Sequence, residues 1–412
     1  MTRCARPRST SCARWASCRH ARPSLRHASH TRFADAGHTH AFEQELIDND
    51  EANFADAGGF VSPCGLSYIG ASKEKLGQAA CAAVKRIHLD MRIAYAAKRA
   101  GAQLFEKAEV TGKPVFDAAA GLWTVTCADG RTFTGRVLVC ADGATSKLAT
   151  TMGLCHAPPQ GVCSRAFVEG GTHNTNFDGV CFYQPESLPG YSAIFRHPKD
   201  ELNYCYYLIP CGKPGMCGDV SEADLPRLHN DAIKNDPFIS RALGPNAKIE
   251  RMRAAPLRLG SQGVPRSYDE HLLIIGDAAG HIDPLTGEGI HTAIQGGKIA
   301  ASVLNEMRAN GDYSAKSCAV WEARWWAAFG HDFKISQQAA VLIYRFPILL
   351  DACAAEMQRK GDAMMSKWAE VMTGMQPKTY FLQPHIAIPL GIAVVREFFA
   401  QKVFNQRSGY YA

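Results

Sequence analysis

The 412-residue sequence predicts an α/β protein, with an open sheet of buried strands, an inserted antiparallel sheet and a helical C-terminal region. Three observations carry the prediction. Two apolar runs, Val137-Leu138-Val139-Cys140 and Leu272-Leu273-Ile274-Ile275, lead into Asp142-Gly143 and Gly276-Asp277, and the second continues through a glycine-rich loop into a long apolar-striped stretch. Between them, residues 155–258 are rich in Tyr, Phe and Pro among short apolar runs. From Trp321 onward the pattern is helical.

Composition bounds the class. Hydrophobic residues at 46% and charged residues at 20% give ample core, which excludes pervasive disorder. No apolar run reaches the ~18 residues of a spanning helix, so a multi-pass membrane protein is excluded. The longest runs, 341–350 and 386–395, are broken by Arg345, Pro347 and Pro389. The formal charge of +6 points to nucleic acid only until it is located. Residues 1–34 hold eight Arg and no acid, leaving 37 basic against 39 acidic residues elsewhere. A body with a balance of −2 is not a phosphate-binding surface, and no nucleic-acid partner is expected. The 15 Cys are odd in number and scattered, with no C-x-x-C, so reduced and mostly buried thiols are expected rather than a disulfide scaffold. His38 and His40 read as loop histidines, and no metal site is expected.

In chain order, residues 1–45 form an atypical leader. The Arg- and Ser-rich, acid-free start has the composition of a transit peptide, or of a misassigned exon; neither is folded. The first reading implies an organellar location (chloroplast or mitochondrion), the second a cytoplasmic one. Phe33-Ala34-Asp35-Ala36-Gly37 recurs at 54–58, too few copies for a repeat architecture. From Lys73 a helical stripe runs through Leu76, Ala79, Ala80, Ala83, Val84 and Ile87, and further helix extends to Arg99 before Gly101. Asp129-Gly130 marks a hairpin turn between Trp123–Cys127 and Arg131–Phe133. Residues 191–195 and 204–209 flank Pro198-Lys199-Asp200-Glu201 and read as a second hairpin, with Pro189-Gly190 turning the chain before it.

The chemistry gathers at the strand ends. Ala128-Asp129-Gly130 is a turn, whereas Asp142-Gly143 follows a buried strand and lies at its carboxyl end, where open α/β sheets bind ligands. The later motif is sharper. Gly276-Asp277 follows a strand, then come Pro284, Gly287, Glu288 and Gly289, and a helix opens at Ile290 with Ala293, Ile294, Gly297, Ala300, Ala301, Leu304 and Met307 on one face. Glycine allows close backbone approach to a ligand, and a helix start offers unpaired N–H groups to negative charge.

These residues carry a resemblance. Arg86-Ile87-His88-Leu89-Asp90, the Asp142-Gly143 segment and Gly276-Asp277 with Gly287-Glu288-Gly289 resemble three signatures of group A flavoprotein reductases and hydroxylases. Gly101-Ala102, the Gly-Glu-Gly-Ile turn ending at Ile290, and Gly297-Lys298-Ile299-Ala300-Ala301 are similar to motifs of the geranylgeranyl reductase family. The resemblance covers roughly residues 80–330. It implies a doubly wound, Rossmann-like FAD-binding domain in two parts, 46–154 and 262–310. An antiparallel β substrate domain would be inserted at 155–261, with a helical region at 311–412. Asp277 would bond the ribityl chain, and residues 284–289 with the helix start at Ile290 would face the isoalloxazine ring. Arg86 would lie near the cofactor's phosphate and ribose. Asp142 and Gly143 would lie where pyrophosphate and nicotinamide dinucleotide meet.

The implied activity is reduction of C=C bonds of a prenyl chain, with NAD(P)H as electron donor. A monooxygenase of an aromatic or isoprenoid substrate is the alternative. No proton donor is assigned. Tyr191 and Phe195 resemble an aromatic substrate-pocket motif of the family, with Ala193 where a Trp is expected; plain core is the other reading. Cys64-Gly65 resembles a Cys-Gly pair near the substrate of some prenyl reductases, against a buried inert thiol. The halogenase motif Trp-x-Trp-x-Ile-Pro is absent. The apolar groups at 346–350 and 385–395 fit either a peripheral membrane contact, a long isoprenoid chain or packing on the body.

One signature departs from the pattern. The family's G-x-G-x-x-G turn, whose backbone N–H groups bind the pyrophosphate, does not occur among the 412 residues. Losing about three charge-assisted hydrogen bonds of ~1.5–3 kcal/mol each would weaken FAD binding by roughly 4–9 kcal/mol. An inactive flavoprotein homologue that keeps an interaction surface is therefore a further expectation.

Overall fold

The computed structural model describes residues 45–55, 57–70, 81–171, 177–209, 222–260 and 264–404. The leader, His38, His40 and the start of the stripe from Lys73 lie outside them. The first strands are β1 (Ala52–Phe54), β2 (Gly58–Val61), β3 (Ser67–Gly70) and β4 (Ala82–Val84). Here one expectation is corrected. Ala82–Val84 is not helical but pairs antiparallel with β1, Ala52 opposite Val84. Three small apolar residues satisfy either period, and the helix begins only after Lys85, which is extended at φ −64°, ψ 133°. Helix α1 (Arg86–Arg99) then runs as read, closing before Gly101 at φ +100°, and none of its residues is buried.

Strands β5 (Val110–Asp117), β6 (Leu122–Cys127) and β7 (Thr132–Gly135) form an antiparallel sheet. Its second turn is the expected Asp129-Gly130 hairpin, with Gly130 at φ +84° and the Cys127 N–H donating to Arg131 O at 2.8 Å. Strand β8 (Leu138–Cys140) leads into the short helix α2 (Lys147–Thr151).

Strands β9 (Gly161–Glu169), β10 (Gly179–Phe182), β11 (Gly190–Arg196), β12 (Leu202–Leu208), β13 (Lys248–Ile249) and β14 (Arg253–Leu257) join β2 and β3 in an eight-stranded sheet, order β13-β9-β12-β11-β10-β2-β3 with β14 on β9. The β11–β12 hairpin is the one read from sequence, Tyr191 facing Tyr207. The sheet extends beyond residues 155–261, because β2 adds parallel to β10. Side chains alternate across it. One face, with Val61, Val180, Phe182, Ile194, Tyr204, Tyr206 and Leu208, packs on helices α3 (Leu225–Asn235) and α4 (Pro237–Leu243). Asp236 caps α4, its carboxylate accepting from the N–H groups of Phe238 and Ile239. The opposite face carries Phe60, Tyr183, Tyr191, Phe195 and Tyr207.

Strands β15 (Tyr268–Asp269) and β16 (Leu272–Ile274) complete the α/β part. Strand β16 lies parallel to β8, Leu272 beside Leu138 and Ile274 beside Cys140. Leu272 and Ile274 face Cys140, Ala149 and Ala278. Leu273 faces Ala300, Val303, Trp321 and Trp325 on helices α5 (Ile290–Asn310) and α6 (Ala315–Trp325). The stripe read for α5 is rotated. Its buried line is Thr292, Gly296, Ala300, Val303 and Met307, while Ile290 and Ile294 are exposed. The reason is the pair of indoles. A Cβ at Gly296 would lie 3.4 Å from Trp321 and 3.5 Å from Trp325, so small residues form the seat and branched ones turn away.

Helices α7 (His331–Arg345), α8 (Ile348–Lys360), α9 (Asp362–Met372) and α10 (Pro384–Phe398) make up the C-terminal region. They share one core with the large sheet, where Phe60, Tyr183 and Tyr191 meet Tyr344, Met357, Met365 and Trp368. The ten described cysteines are unpaired, five of them buried. No helix of the described residues is long and apolar enough to cross a membrane.

Candidate functional site

The site grows from the carboxyl ends of the parallel strands. After β16 the chain turns through Gly276 at φ +62° and a single 3₁₀ turn, Gly276–Ala279. It then forms the 282–289 loop and enters α5. Asp283 builds that loop. Its N–H donates to Glu288 O and its carbonyl accepts from Gly287 N–H, at 2.8 and 2.9 Å. Its Oδ1 accepts from the N–H groups of Leu285 and Thr286, and its Oδ2 from Ser336 Oγ at 2.8 Å. Lys378 Nζ lies 2.9 Å from the same Oδ2 and 3.1 Å from Asp332 Oδ2. Burial opposes the charge on Lys378, but the two carboxylates outweigh it and hold its pKa above the ordinary value. From the sheet side, Tyr191 Oη donates to Thr286 O, and Tyr344 Oη donates to Leu285 O at 3.4 Å.

Two glycines shape the surface of the loop. Gly287, at φ +71°, would bring a Cβ 3.2 Å from Ile209 and 3.4 Å from Tyr207. A Cβ on Gly289 would lie 2.9 Å from Ile282 and 3.1 Å from Asp277 Oδ1. The Asp277 carboxylate is half-buried with no hydrogen-bond partner among the described residues. Burial raises its pKa, and the Arg86 guanidinium works against that rise. Glu288 is accessible to solvent, yet protein crowds it. Desolvation raises its carboxyl to about 7, with Asp283 adding to the rise and Lys378 opposing it. Its charge raises the pKa values of Tyr183, Tyr191, Tyr207, Cys181 and Cys81 alongside burial, so this carboxyl lies within electrostatic reach of the aromatic wall of the large sheet. Burial drives the thiols of that wall upward, Cys181 and Cys205 to about 12 and Cys163 to about 11. They stay neutral at pH 7 and act as small apolar groups. Below the loop, His281 stacks on Trp325 with centroids 3.7 Å apart; burial lowers its pKa to about 3, so it is neutral.

The structure brings Asp277, Gly289 and Ile290 together with Gly276, Pro284, Gly287 and Glu288 in one loop, and sets Arg86 within electrostatic reach of Asp277. The Arg86 guanidinium is exposed and bonds Asp90 at 2.7 Å. Asp142 and Gly143 lie at the end of β8, beside that of β16, but the Asp142 carboxylate is engaged locally, accepting from Ser146 Oγ and Leu148 N–H. Tyr191 is buried against the loop, and Phe195 lies on the same sheet face over Gly179. Cys64 packs against the same core as the wall, its N–H donating to Asp351 and its thiol pushed to about 12 by burial, which makes it inert. Two groups carried no sequence signal. Lys378 lies 95 positions from Asp283. Arg258, fully buried, holds the 142–144 loop by donating to Ala144 O at 2.9 Å and braces Ala157 O at 2.6 Å.

A carboxylate with no hydrogen-bond partner among the described residues, past a strand, with a glycine cradle beside it and a helix N-terminus behind it, fits the ribityl and isoalloxazine half of FAD. The fold is that of FAD-binding α/β proteins. No family model matches the chain. Over 370 residues it is 47% identical to conditioned medium factor receptor 1 of Dictyostelium discoideum, covering 87% of this chain and 70% of that protein. It is 30% identical over 248 residues to digeranylgeranylglycerophospholipid reductase 2 of Methanopyrus kandleri, covering 58% of this chain and 59% of the reductase. A menaquinone reductase of Mycobacterium tuberculosis is 25% identical over 302 residues, covering 71% of this chain and 68% of that one. Among solved structures, a geranylgeranyl bacteriochlorophyll reductase-like protein of Thermoplasma acidophilum superposes with a TM-score of 0.56 at 17% identity, covering 84% and 82% of the two chains. The flavin-dependent brominase Bmp2 reaches 0.61 at 15% identity, covering 87% and 86%. The chain belongs to the family of the Dictyostelium conditioned medium factor receptor 1, and over part of its length it is similar to the prenyl-lipid and menaquinone reductases.

Proposed function

We propose that the protein is an FAD-dependent reductase that saturates C=C bonds of a prenyl chain, with NAD(P)H as the source of electrons. The observation that carries this reading is the half-buried Asp277 beside Gly289, with no hydrogen-bond partner among the described residues and within electrostatic reach of the Cys163 thiol on the apolar sheet face. Bound FAD would supply hydride to the double bond. Asp277 would accept hydrogen bonds from the ribityl hydroxyls, and the N-terminus of α5 would stabilise negative charge on the reduced ring. Tyr191 holds the loop through Thr286 O, fixing the distance between loop and wall. Phe195, Tyr207, Cys163 and Cys181 offer an apolar surface for an isoprenoid chain and exclude water from it. Glu288, whose carboxyl burial raises to about 7 within electrostatic reach of that wall, would be the proton donor to the second alkene carbon.

The test is the visible spectrum of the purified protein before and after FAD is added, followed by NADPH oxidation with a prenyl substrate. A bound flavin spectrum and loss of substrate unsaturation support the proposal. Oxygen uptake coupled to a hydroxylated product would instead make it a monooxygenase. A colourless protein that takes up no FAD would sink both, and favours a second reading. In that reading the chain keeps the flavoprotein fold as a binding surface without redox activity. It rests on the 47% identity to a protein named as a receptor and on the missing G-x-G-x-x-G.

A further inference from the structure

Helix α10 and the turn after it leave an apolar ridge in the open. Ile388, Ile392, Val395, Phe399 and Val403 recur at intervals of four, three, four and four residues on one line, each 47–62% exposed, with Phe398 and Phe404 beside them. The opposite side of the helix, Ile386, Ala393 and Glu397, is buried against the body. At 1.5 Å per residue the stretch is roughly 24 Å long, too large a run of apolar side chains to be scattered surface residues.

The charges around the ridge are sorted by depth. Between 382 and 404 the ionisable residues are His385, Arg396, Glu397 and Lys402, and the acid is the buried one, 1% exposed. On neighbouring α8, Glu356 is also buried, and three cations reach it: Arg359 at 2.7 Å, and Lys360 and Arg396 at 3.4 Å each. Arg396 also lies 4.0 Å from the buried Glu397, so these three cations exceed the two buried acids by one positive charge at the border of the ridge. Lys402 adds another from the exposed side. A second copy of the same face would set these cations against one another, which disfavours self-association. An apolar ridge with a purely basic border complements an interface that is apolar inside and anionic outside.

We infer that α10 is a membrane-docking helix, lying in the plane of an anionic lipid surface with Ile388, Ile392, Val395 and Phe399 in the acyl boundary and Arg396 and Lys402 at the headgroups. The test is flotation of the full chain with vesicles of phosphatidylcholine alone and with about one-third phosphatidylserine. The full chain should float with the anionic vesicles and less with the neutral ones. Raising the salt should weaken binding. Ile388→Asp with Ile392→Asp should lower the bound fraction at least about tenfold, and Lys402→Glu about fivefold or more. Circular dichroism unchanged from the parent shows these exposed substitutions leave the fold intact. A parent chain that floats with neither vesicle overturns the inference. So does a double variant that floats as well as the parent. A parent that is a dimer in size-exclusion chromatography, with a monomeric double variant, would assign the ridge to a second copy instead.

Discussion

Replacing Lys378 by Met removes the cation that joins the C-terminal region to the 282–289 loop and leaves a methylene chain of similar length. Asp283 is then buried at 2% exposure with one of its charge-compensating partners gone, though Ser336 Oγ and two backbone N–H groups still bond it. Asp332, at 25% side-chain exposure, can recover water. Breaking a buried ion pair costs about 3–5 kcal/mol, and the hydrogen bonds that remain on Asp283 place the cost at the low end, about 3 kcal/mol or a hundredfold in the unfolding equilibrium. The pH dependence has a definite sign. The Lys378 pKa is raised in the folded state, so its contribution is complete below the ordinary value of 10.5 and is lost as pH rises through the folded value. The difference between parent and Lys378→Met should therefore be flat across neutral pH and shrink only in strong alkali. Urea titration followed by tryptophan fluorescence measures the cost. Hydrogen exchange at the amides of Leu285 and Thr286, which Asp283 holds, reports the loop. Asp332→Asn should cost about 1 kcal/mol or less, since its partner stays paired to Asp283. A Lys378→Met variant within about 1 kcal/mol of the parent, with unchanged exchange at those amides, would refute the argument that this pair holds the loop.

Glu288→Gln should raise thermal stability at about pH 8 and leave it unchanged at about pH 4. The carboxyl titrates near 7 in the fold against an ordinary 4.5, so the parent loses stability between those values, where the group ionises in the unfolded chain but keeps its proton in the fold; melting temperatures across that range decide it. Gly289→Ala should push on Asp277 Oδ1 and Ile282, lowering FAD affinity by about tenfold or more, read by flavin fluorescence titration. If FAD affinity is unchanged, Gly289 does not cradle the cofactor. Arg258→Met should cost about 1–3 kcal/mol in urea, because the buried carbonyl of Ala144 loses its donor while the exposed carbonyl of Ala157 can turn to water. A neutral variant would mean that water replaces the guanidinium.

What the sequence made legible was local. The Asp129-Gly130 turn, the strands at 138–140 and 272–274 and the 190–208 hairpin carry their determinants within a few residues: a residue that tolerates positive φ, or a short apolar run between turn signals. The loop at 276–289 belongs to the same class, since Asp277 and Gly289 are close in sequence and the chain merely folds back. Features set by distant partners were not legible. The buried side of α5 was chosen by Trp321 and Trp325, which prefer Gly296 to the isoleucines that dominate any apolar stripe. Strand β5 is interrupted by Gly112 and Pro114, which erase its alternation. Ala82–Val84 fits a helix until its partner at 52–54 is known. Lys378 is an ordinary surface residue by composition and becomes a buried ion only because α7 and the loop close around it.

The stretch from Pro377 to Pro384 has a mechanical consequence. It is short, bracketed by two rings that fix backbone torsions, and folded as one 3₁₀ segment, Lys378–Leu382. One end is pinned to Asp283; the other is the first turn of α10. The segment therefore acts as a strut without slack. A change in the pitch of α10 is delivered to the loop that borders Asp277 and Glu288 instead of being absorbed between them. Lengthening the strut by two flexible residues would decouple the two ends while leaving each intact.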